Sequence, residues 1–218
     1  MRSLIVIFLI FISTLSASAQ LFGKKWVDGK LYHISGEVFT GQISWSPPQK
    51  SGYREDGDEI YYRNNPESER IPIPAEKIVS FTMGNDSFVV SHNQDLRNTP
   101  FLNVRLNTSI KIYTSLTYRQ GLPLMLATGG GGGAVGVAIA GTTTIGGGTR
   151  KTYYYGTDAD NVTKLDKKKF LEVMSNVMAD KPEVVAKIQD KTFKYGDLDD
   201  LITFYRTGEM PRNNGNQY

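Results

Sequence analysis

Apolar and polar positions alternate over much of residues 20–118, and this period of two predicts a β-rich domain. The clearest alternation runs over 38–45, where one face carries Phe39, Gly41, Ile43 and Trp45. We expect that face to be buried, with the glycine allowing a neighbouring strand to approach closely. Asp28-Gly29 lies between two short apolar stretches, a pattern typical of a hairpin turn. A short strand with two tyrosines is predicted at 59–63.

The other strands of this domain are predicted from prolines and turns. Residues 71–74 read Ile-Pro-Ile-Pro and must be extended. Because proline donates no ladder hydrogen bond, this segment cannot lie in the centre of a sheet. Two hairpins are predicted after it, one over 77–91 around a Gly-Asn-Asp turn and one over 101–118 around Asn107-Thr108.

A long segment without charge interrupts the pattern. Residues 120–149 contain no charged side chain and include five consecutive glycines at 129–133. Strand-forming residues flank the segment on both sides, among them three consecutive tyrosines at 153–155. We therefore predict that 109–126 pairs with 149–157 across a glycine-rich excursion.

After Asp158 the apolar spacing becomes helical. A first helix is predicted over 167–178, with Asp166 as its N-cap. Its apolar face carries Phe170, Val173, Met174 and Val177. A second helix is expected to be capped by Asp180 and to have Pro182 in its first turn.

A third helix is predicted over 198–205, capped by Asp197 and ended by Gly208 and Pro211. The three helices are too short to be stable alone, so they must pack on each other or on the sheet. The remaining C-terminal residues are polar and are expected to be disordered.

These patterns together predict an α+β protein, with an antiparallel β-sheet or small barrel followed by a C-terminal three-helix segment. We expect a signal peptide at 1–19 and a β-rich domain at 20–157 that contains the excursion 120–149. A helical segment at 158–208 and a disordered tail at 209–218 complete the predicted organisation.

The first residues are expected to direct export. Arg2 supplies a positive charge, residues 4–12 form an unbroken apolar run, and Ala17-Ser18-Ala19 fits a small-x-small cleavage site. The alternative is a membrane anchor, but a spanning helix needs about 20 apolar residues. We therefore expect an exported protein that is periplasmic, associated with the outer membrane, or extracellular.

Composition narrows the chemistry further. The chain has no cysteine, which excludes disulfides, thiol catalysis and zinc–thiolate sites. Its net charge is only +3, and its basic residues are scattered along the chain. No nucleic-acid partner is expected from this distribution.

The glycine tract matches one nucleotide-binding pattern by spacing. Gly131, Gly133 and Gly136 follow the G-x-G-x-x-G order of a dinucleotide loop, with Asp158 further on. That loop must open a helix, whereas the residues that follow are rich in glycine and threonine. No cofactor is therefore expected. The tract is instead either a passive loop, a contact between copies of the chain, or a contact with a protein or membrane surface.

Candidate catalytic residues are few. His33 and His92 are the only histidines, and a secreted hydrolase would need one of them beside a serine such as Ser91, or a pair of carboxylates. Acidic clusters at 55–59 and 158–161 offer oxygens to Ca²⁺, but neither follows the EF-hand loop. The sequence therefore assigns no catalytic, cofactor-binding or metal-ligating residue.

The C-terminal quarter carries a resemblance. Its motifs are Phe-Leu-x-x-Met at 170–174, Asp-Lys-Pro-Glu at 180–183 with Ile188, and Leu-x-x-Leu-Ile-x-x-Tyr at 198–205. With a β-rich N-terminal part, this ending resembles a large group of uncharacterised exported bacterial envelope proteins. The resemblance implies an envelope location and transfers no functional residue.

The expected function is that of a non-enzymatic binding or assembly module in the envelope or at the surface. The expected partner is a protein or a membrane surface, or a second copy of the chain, contacted through residues 120–149. A secreted hydrolase that uses a carboxylate pair or serine–histidine chemistry is the alternative.

Overall fold

The computed structural model describes residues 25–48, 57–119, 122–123, 144–145 and 148–211. The predictions for the signal peptide at 1–19, for the Gly-x-Gly-x-x-Gly motif and for the last seven residues therefore lie outside the described residues.

Most of the described chain belongs to one antiparallel sheet of ten strands in the order β12-β11-β8-β7-β6-β5-β1-β2-β3-β4, and a second sheet pairs β9 with β10. The strands are β1 Val27–His33, β2 Val38–Ser44, β3 Glu59–Arg63, β4 Ile71–Pro74, β5 Ile78–Met83, β6 Asp86–Val90, β7 Phe101–Leu106, β8 Lys111–Arg119, β9 Leu122–Pro123, β10 Thr144–Ile145, β11 Gly148–Gly156 and β12 Val162–Lys164. The large sheet is not closed. The α+β prediction is confirmed, with an open sheet rather than a barrel.

Three α-helices follow the sheet: α1 Phe170–Val177, α2 Pro182–Gln189 and α3 Leu198–Thr207. Single 3₁₀ turns occur at Ala75–Lys77, Gln94–Leu96 and Tyr195–Asp197. The helices bury their apolar faces in one core with Leu106, Ile112 and Tyr153 of the sheet. Packing on the sheet therefore supplies the stability that helices of this length lack alone.

The predicted side-chain caps of the first two helices are wrong. Lys169 and Lys181 occupy the N-cap positions of α1 and α2 and make no cap hydrogen bond. The Asp180 carboxylate instead accepts a hydrogen bond of 2.8 Å from the Tyr205 hydroxyl of α3. The Asp180 carboxylate therefore makes a tertiary contact with α3, whereas the local sequence pattern predicted that it caps α2. The third prediction is correct in position, because Asp197 is the N-cap residue of α3, but its Oδ2 accepts from the Lys194 backbone N–H and makes no cap hydrogen bond.

A second core fills the half of the sheet formed by β1 to β6. Its centre is aromatic: Phe81 stacks on Phe88 with ring centroids 4.8 Å apart, and Phe101 meets Phe81 edge-on at 5.2 Å. Ile43 of β2 is fully buried in this core, whereas Val38 on the other face of β2 is 53% exposed. The face predicted to be buried is therefore the buried one.

Asp28-Gly29 does not form the predicted hairpin turn. Both residues lie inside β1, where Gly29 pairs with Gly41 of β2 on one side and with Met83 of β5 on the other. A Cβ at Gly29 would lie 1.9 Å from the Thr82 carbonyl oxygen. Glycine is required here by the close approach of β5, and the actual turn comes later, at Gly36, which has a φ of 88°.

The Ile-Pro-Ile-Pro strand lies at the edge of the sheet, as predicted. The backbone N–H of Ala75 donates to Asp58 O at 2.7 Å, so alternate residues Ile73 and Ile71 also face β3. Pro72 and Pro74 therefore direct their nitrogens outward, where other residues would present free N–H groups. This edge offers carbonyl acceptors but no donors to an incoming strand.

The Gly29 contact gives a stability prediction. Gly29→Ala should lower the free energy of unfolding by about 1–3 kcal/mol, because the new methyl group must displace the β5 backbone. Gly196→Ala is the matched control, since a Cβ there meets nothing within 4 Å. Urea unfolding followed by tryptophan fluorescence measures both variants. Equal stability of the two variants would contradict the close approach of β1 and β5.

Candidate functional site

The most distinctive feature of the molecule is a two-stranded extension at one end of the sheet, here called the β-arm. It consists of residues 116–119 and 122–123 paired with 144–145 and 148–151. The pairing of β8 with β7 ends at Ser115, whereas its pairing with β11 continues to Arg119. The β-arm therefore extends beyond the rest of the sheet.

The register of the β-arm does not change along its length. Arg119 pairs with Gly148, and three positions further on Leu122 pairs with Ile145. The β9–β10 pair, which forms a separate small sheet, therefore has the same register as the β8–β11 pair. This confirms the predicted pairing of the segments that flank the glycine-rich excursion. Within the predicted excursion 120–149, residues 122–123 are paired with 144–145.

The β-arm is exposed and basic. Residues 148–151 are all exposed, and Tyr118 is 40% exposed. Thr117 pairs with Arg150, and Arg119 pairs with Gly148, so Arg119 and Arg150 are diagonal neighbours on one face. These two arginines border the charge-free segment 120–149 on both strands.

One carboxylate fixes the base of the β-arm to the helices. Asp199, in the first turn of α3, forms an ion pair with Arg105 of β7 at 2.9 Å and a second with Lys151 of β11. The ladder shifts register between Val104 and Leu106, and both Arg105 and Leu106 contact the helical layer. Sequence analysis did not single out Asp199 or its partners. The only signal was a charged residue within the otherwise uncharged strand 101–106.

The ion pairs set the titration of Asp199. Its partial burial acts to raise the pKa, but hydrogen bonding to Lys151 and the charge of Arg105 outweigh burial and hold the pKa below 3.8. Burial also raises the pKa of the nearby Tyr153 phenol to about 12, and the Asp199 charge adds to this effect. Asp199 is therefore ionised and Tyr153 protonated across the physiological range.

The structure brings His92 close to a carboxylate but not to a nucleophile. His92 Nδ1 lies 3.2 Å from Asp160 Oδ1, and both side chains are more than half exposed. The neighbouring Ser91 is buried, and its hydroxyl donates to the Ala159 carbonyl at 2.6 Å. Among the described residues no serine hydroxyl is hydrogen-bonded to His92. The contacts therefore join two loops and do not form a catalytic triad.

His33 lies in a different setting. Its Nδ1 is 2.8 Å from Ser35 Oγ, and that hydroxyl donates to Glu37 at 2.9 Å. The carboxylate thus binds the serine rather than the imidazole, the reverse of the catalytic order. His33 also borders an apolar cleft of about 240 Å³ whose lining comprises Phe39, Tyr62, residues 71–74 and Lys77. No carboxylate is among these lining residues.

The acidic cluster 158–161 forms a turn held by its own side chains. Asp158 Oδ1 accepts hydrogen bonds from the backbone N–H groups of Asp160 and Asn161, at 3.0 and 2.8 Å. Hydrogen bonds from Asn161 are the main cause that lowers the pKa of Asp158. In the part of the chain that the structure describes, no group of three or more potential ligands is arranged to hold a metal ion. Within the cluster 55–59, residues 55 and 56 lie outside the described ranges.

Comparisons with protein-family models, with curated proteins and with solved structures found no match to this chain. The resemblance to exported bacterial proteins therefore stays a prediction. None of the helices in the described ranges is long and apolar enough to cross a membrane.

The Asp199 ion pairs predict a pH-dependent contribution to stability. Asp199→Asn should lower the free energy of unfolding by about 1 kcal/mol at pH 7, a value reduced by partial exposure. Because the folded-state pKa is depressed, the wild-type advantage is present above pH 3.8 and is lost as the pH falls through the folded-state value. Urea unfolding at several pH values measures this difference.

Asp200→Asn is the control for this experiment, because Asp200 occupies the same helical turn and is exposed. Both substitutions weaken the favourable interaction of an acidic residue with the helix dipole. Equal losses in the two variants would show that the ion pairs to Arg105 and Lys151 add nothing.

Proposed function

We propose that this chain is an exported, non-enzymatic module of the envelope or surface that binds a partner through residues 120–149. The observation that carries the proposal is the register shared by the two paired parts of the β-arm, which end at Arg119–Gly148 and at Pro123–Thr144. A paired stem of this length holds the ends of the charge-free segment beyond the sheet. A passive insertion would not need such a stem.

The charges at the β-arm favour a negatively charged partner. Arg119 and Arg150 lie on one face beside a segment that contains no charge of its own. Two copies in contact there would bring these arginines together, which is unfavourable. Anionic headgroups would instead attract them, by about 1 kcal/mol for each basic residue near the surface. Exposed Tyr118 is also typical of an interface between water and lipid.

The function therefore inferred is attachment to an anionic membrane surface of the envelope. The apolar residues of 120–149 provide contact area and the arginines provide attraction to lipid headgroups. The helices and part of the sheet share one hydrophobic core. No step of the proposal requires catalysis.

Vesicle co-sedimentation tests the attachment. The protein should bind vesicles of mixed phosphatidylglycerol and phosphatidylcholine, and a variant with 124–143 replaced by Asn-Gly should stay in the supernatant. Asn-Gly joins Pro123 to Thr144 through a two-residue hairpin turn and so preserves the stem. Arg119→Gln/Arg150→Gln should weaken binding by about 2 kcal/mol, roughly thirtyfold.

Lys30→Gln/Lys164→Gln removes two exposed strand lysines away from the β-arm and should bind as the unchanged protein does. Sedimentation equilibrium of the same samples detects self-association. Oligomers that disappear in the shortened variant, without vesicle binding, would replace the membrane partner by a second copy. Monomers that bind no vesicle would overturn the proposal.

Export has a separate test. Protein recovered from the envelope fraction of an expressing bacterium should begin at Gln20, because the predicted cleavage follows Ala19. N-terminal sequencing or intact-mass measurement determines this position. Uncleaved protein in the cytoplasmic fraction would contradict export.

A further inference from the structure

A polar cleft of about 450 Å³ lies at the end of the sheet where β6 begins, β7 ends and β8 begins. Its volume is in the range of sites for small molecules. Because β8 ends in the β-arm, the cleft and the β-arm lie at opposite ends of the same strand. The cleft therefore does not depend on residues 120–149.

Apolar and aromatic side chains form the floor of the cleft. Val104 pairs directly with Tyr113, so both side chains project from the same face of the sheet. Val89 completes the floor. Tyr113 is only 2% exposed, and burial, with smaller effects of Asp158 and Asp160, raises its pKa to about 12. Tyr113 is therefore neutral at physiological pH, and with the two valines it forms a surface suited to the face of a ring.

Two cations at the rim are positioned without an acidic partner. The Arg206 guanidinium donates to the Arg105 carbonyl, and Lys111 Nζ donates to the Thr157 carbonyl at 2.7 Å. Neither side chain forms an ion pair with a carboxylate of the described residues. Bonds to backbone oxygens hold both cations in place but leave their charge uncompensated, and each retains further N–H donors.

The other charged side chains that line the cleft already have an ion-pair or hydrogen-bond partner. Arg105 also lines the cleft, but its charge is compensated by Asp199. Asp86 is the one carboxylate among the described lining residues, and its Oδ1 accepts a hydrogen bond of 3.2 Å from Asn103 Nδ2. Its remaining lone pairs can accept hydroxyl donors. The cleft thus combines a net positive rim with an acceptor for hydroxyl groups.

We propose that this cleft binds an acidic sugar. The carboxylate or phosphate of the sugar pairs with Lys111 and Arg206, and its hydroxyls donate to Asp86. One face of the ring packs on the floor formed by Val89, Val104 and Tyr113. A neutral sugar has no negative charge to pair with Lys111 and Arg206. A simple anion has neither a ring face to pack on the floor nor sugar hydroxyls to donate to Asp86.

Titration calorimetry of the purified protein at low salt tests this site, with glucuronate, glucose 6-phosphate, glucose and inorganic phosphate as the four probes. At least one of the two acidic sugars should bind, and it should bind at least about tenfold more tightly than glucose or phosphate. The two acidic probes distinguish carboxylate from phosphate as the preferred anion. Arg206→Gln and Lys111→Gln should each weaken binding by about tenfold.

Arg97→Gln is the matched control, because Arg97 is exposed in the loop between β6 and β7 at the end of these strands away from the cleft. The shortened β-arm variant should also bind the sugar unchanged, which separates this site from membrane attachment. The absence of heat from all four probes at about 10 mM would overturn the proposal. Binding that is equal in Arg206→Gln and Arg97→Gln would also overturn it.

Discussion

The pairing of β8 with β11 is the constraint on which the other parts of the molecule depend. The first residues of β8 line the polar cleft, its middle is buried on both faces, and its last residues form the β-arm. Ile112 and Tyr113 on its two faces are almost fully buried, although they belong to different cores. One unbroken register therefore fixes the helical layer, the cleft and the β-arm relative to one another.

Asp199 positions the helices relative to these paired strands. Its two ion pairs reach β7 and β11, the strands on either side of β8. The position of α3 is thus defined against two strands, and Arg206 near its other end binds the Arg105 carbonyl beside the cleft. The helices therefore contact the sheet between the polar cleft and the β-arm. Hydrophobic contacts alone would be less directional, because their strength depends on area rather than on orientation.

A polar seam separates the two main cores. Cross-strand partners run from Phe81 and Phe88 to Asn103 and Thr114 and then to Tyr153. Asn103 Oδ1 and Thr114 Oγ1 are buried, and among the described residues neither has a hydrogen-bond partner. Such atoms cost about 1–3 kcal/mol each, so the seam is an energetic weak point in an otherwise apolar face. The one hydrogen bond of Asn103 holds Asp86 at the cleft, which gives the seam a local role.

Periodicity predicted the strands well, because one buried face imposes alternation on each of them. β3 and the edge position of β4 agree with the expectation. Two failures share one cause, which is that a distant partner decides a local conformation or contact. Gly29 permits contact with β5 rather than a turn, and Asp180 binds Tyr205 rather than a helix end. β12 at Val162–Lys164 lies within the segment predicted as helical, because its three residues are too few to show alternation.

The candidate sites were less predictable than the fold. The stem of the β-arm could be predicted, since strand-forming residues flank a segment without charge. The polar cleft could not, because Lys111 and Arg206 are 95 positions apart and their lack of acidic partners is visible only in three dimensions. The contact between His92 and Asp160 could not be predicted either, because the two residues are 68 positions apart.

The edges of the sheet are poorly suited to binding by strand addition. Proteins with open sheets often bind partners by adding a strand to an edge. Here Pro72 and Pro74 remove the outward donors of β4, and β12 offers only three residues at the opposite edge. Beyond Ser115, where β7 no longer pairs with β8, the Tyr118 N–H is bound by the Pro48 carbonyl. Strand addition is therefore disfavoured at each of these places.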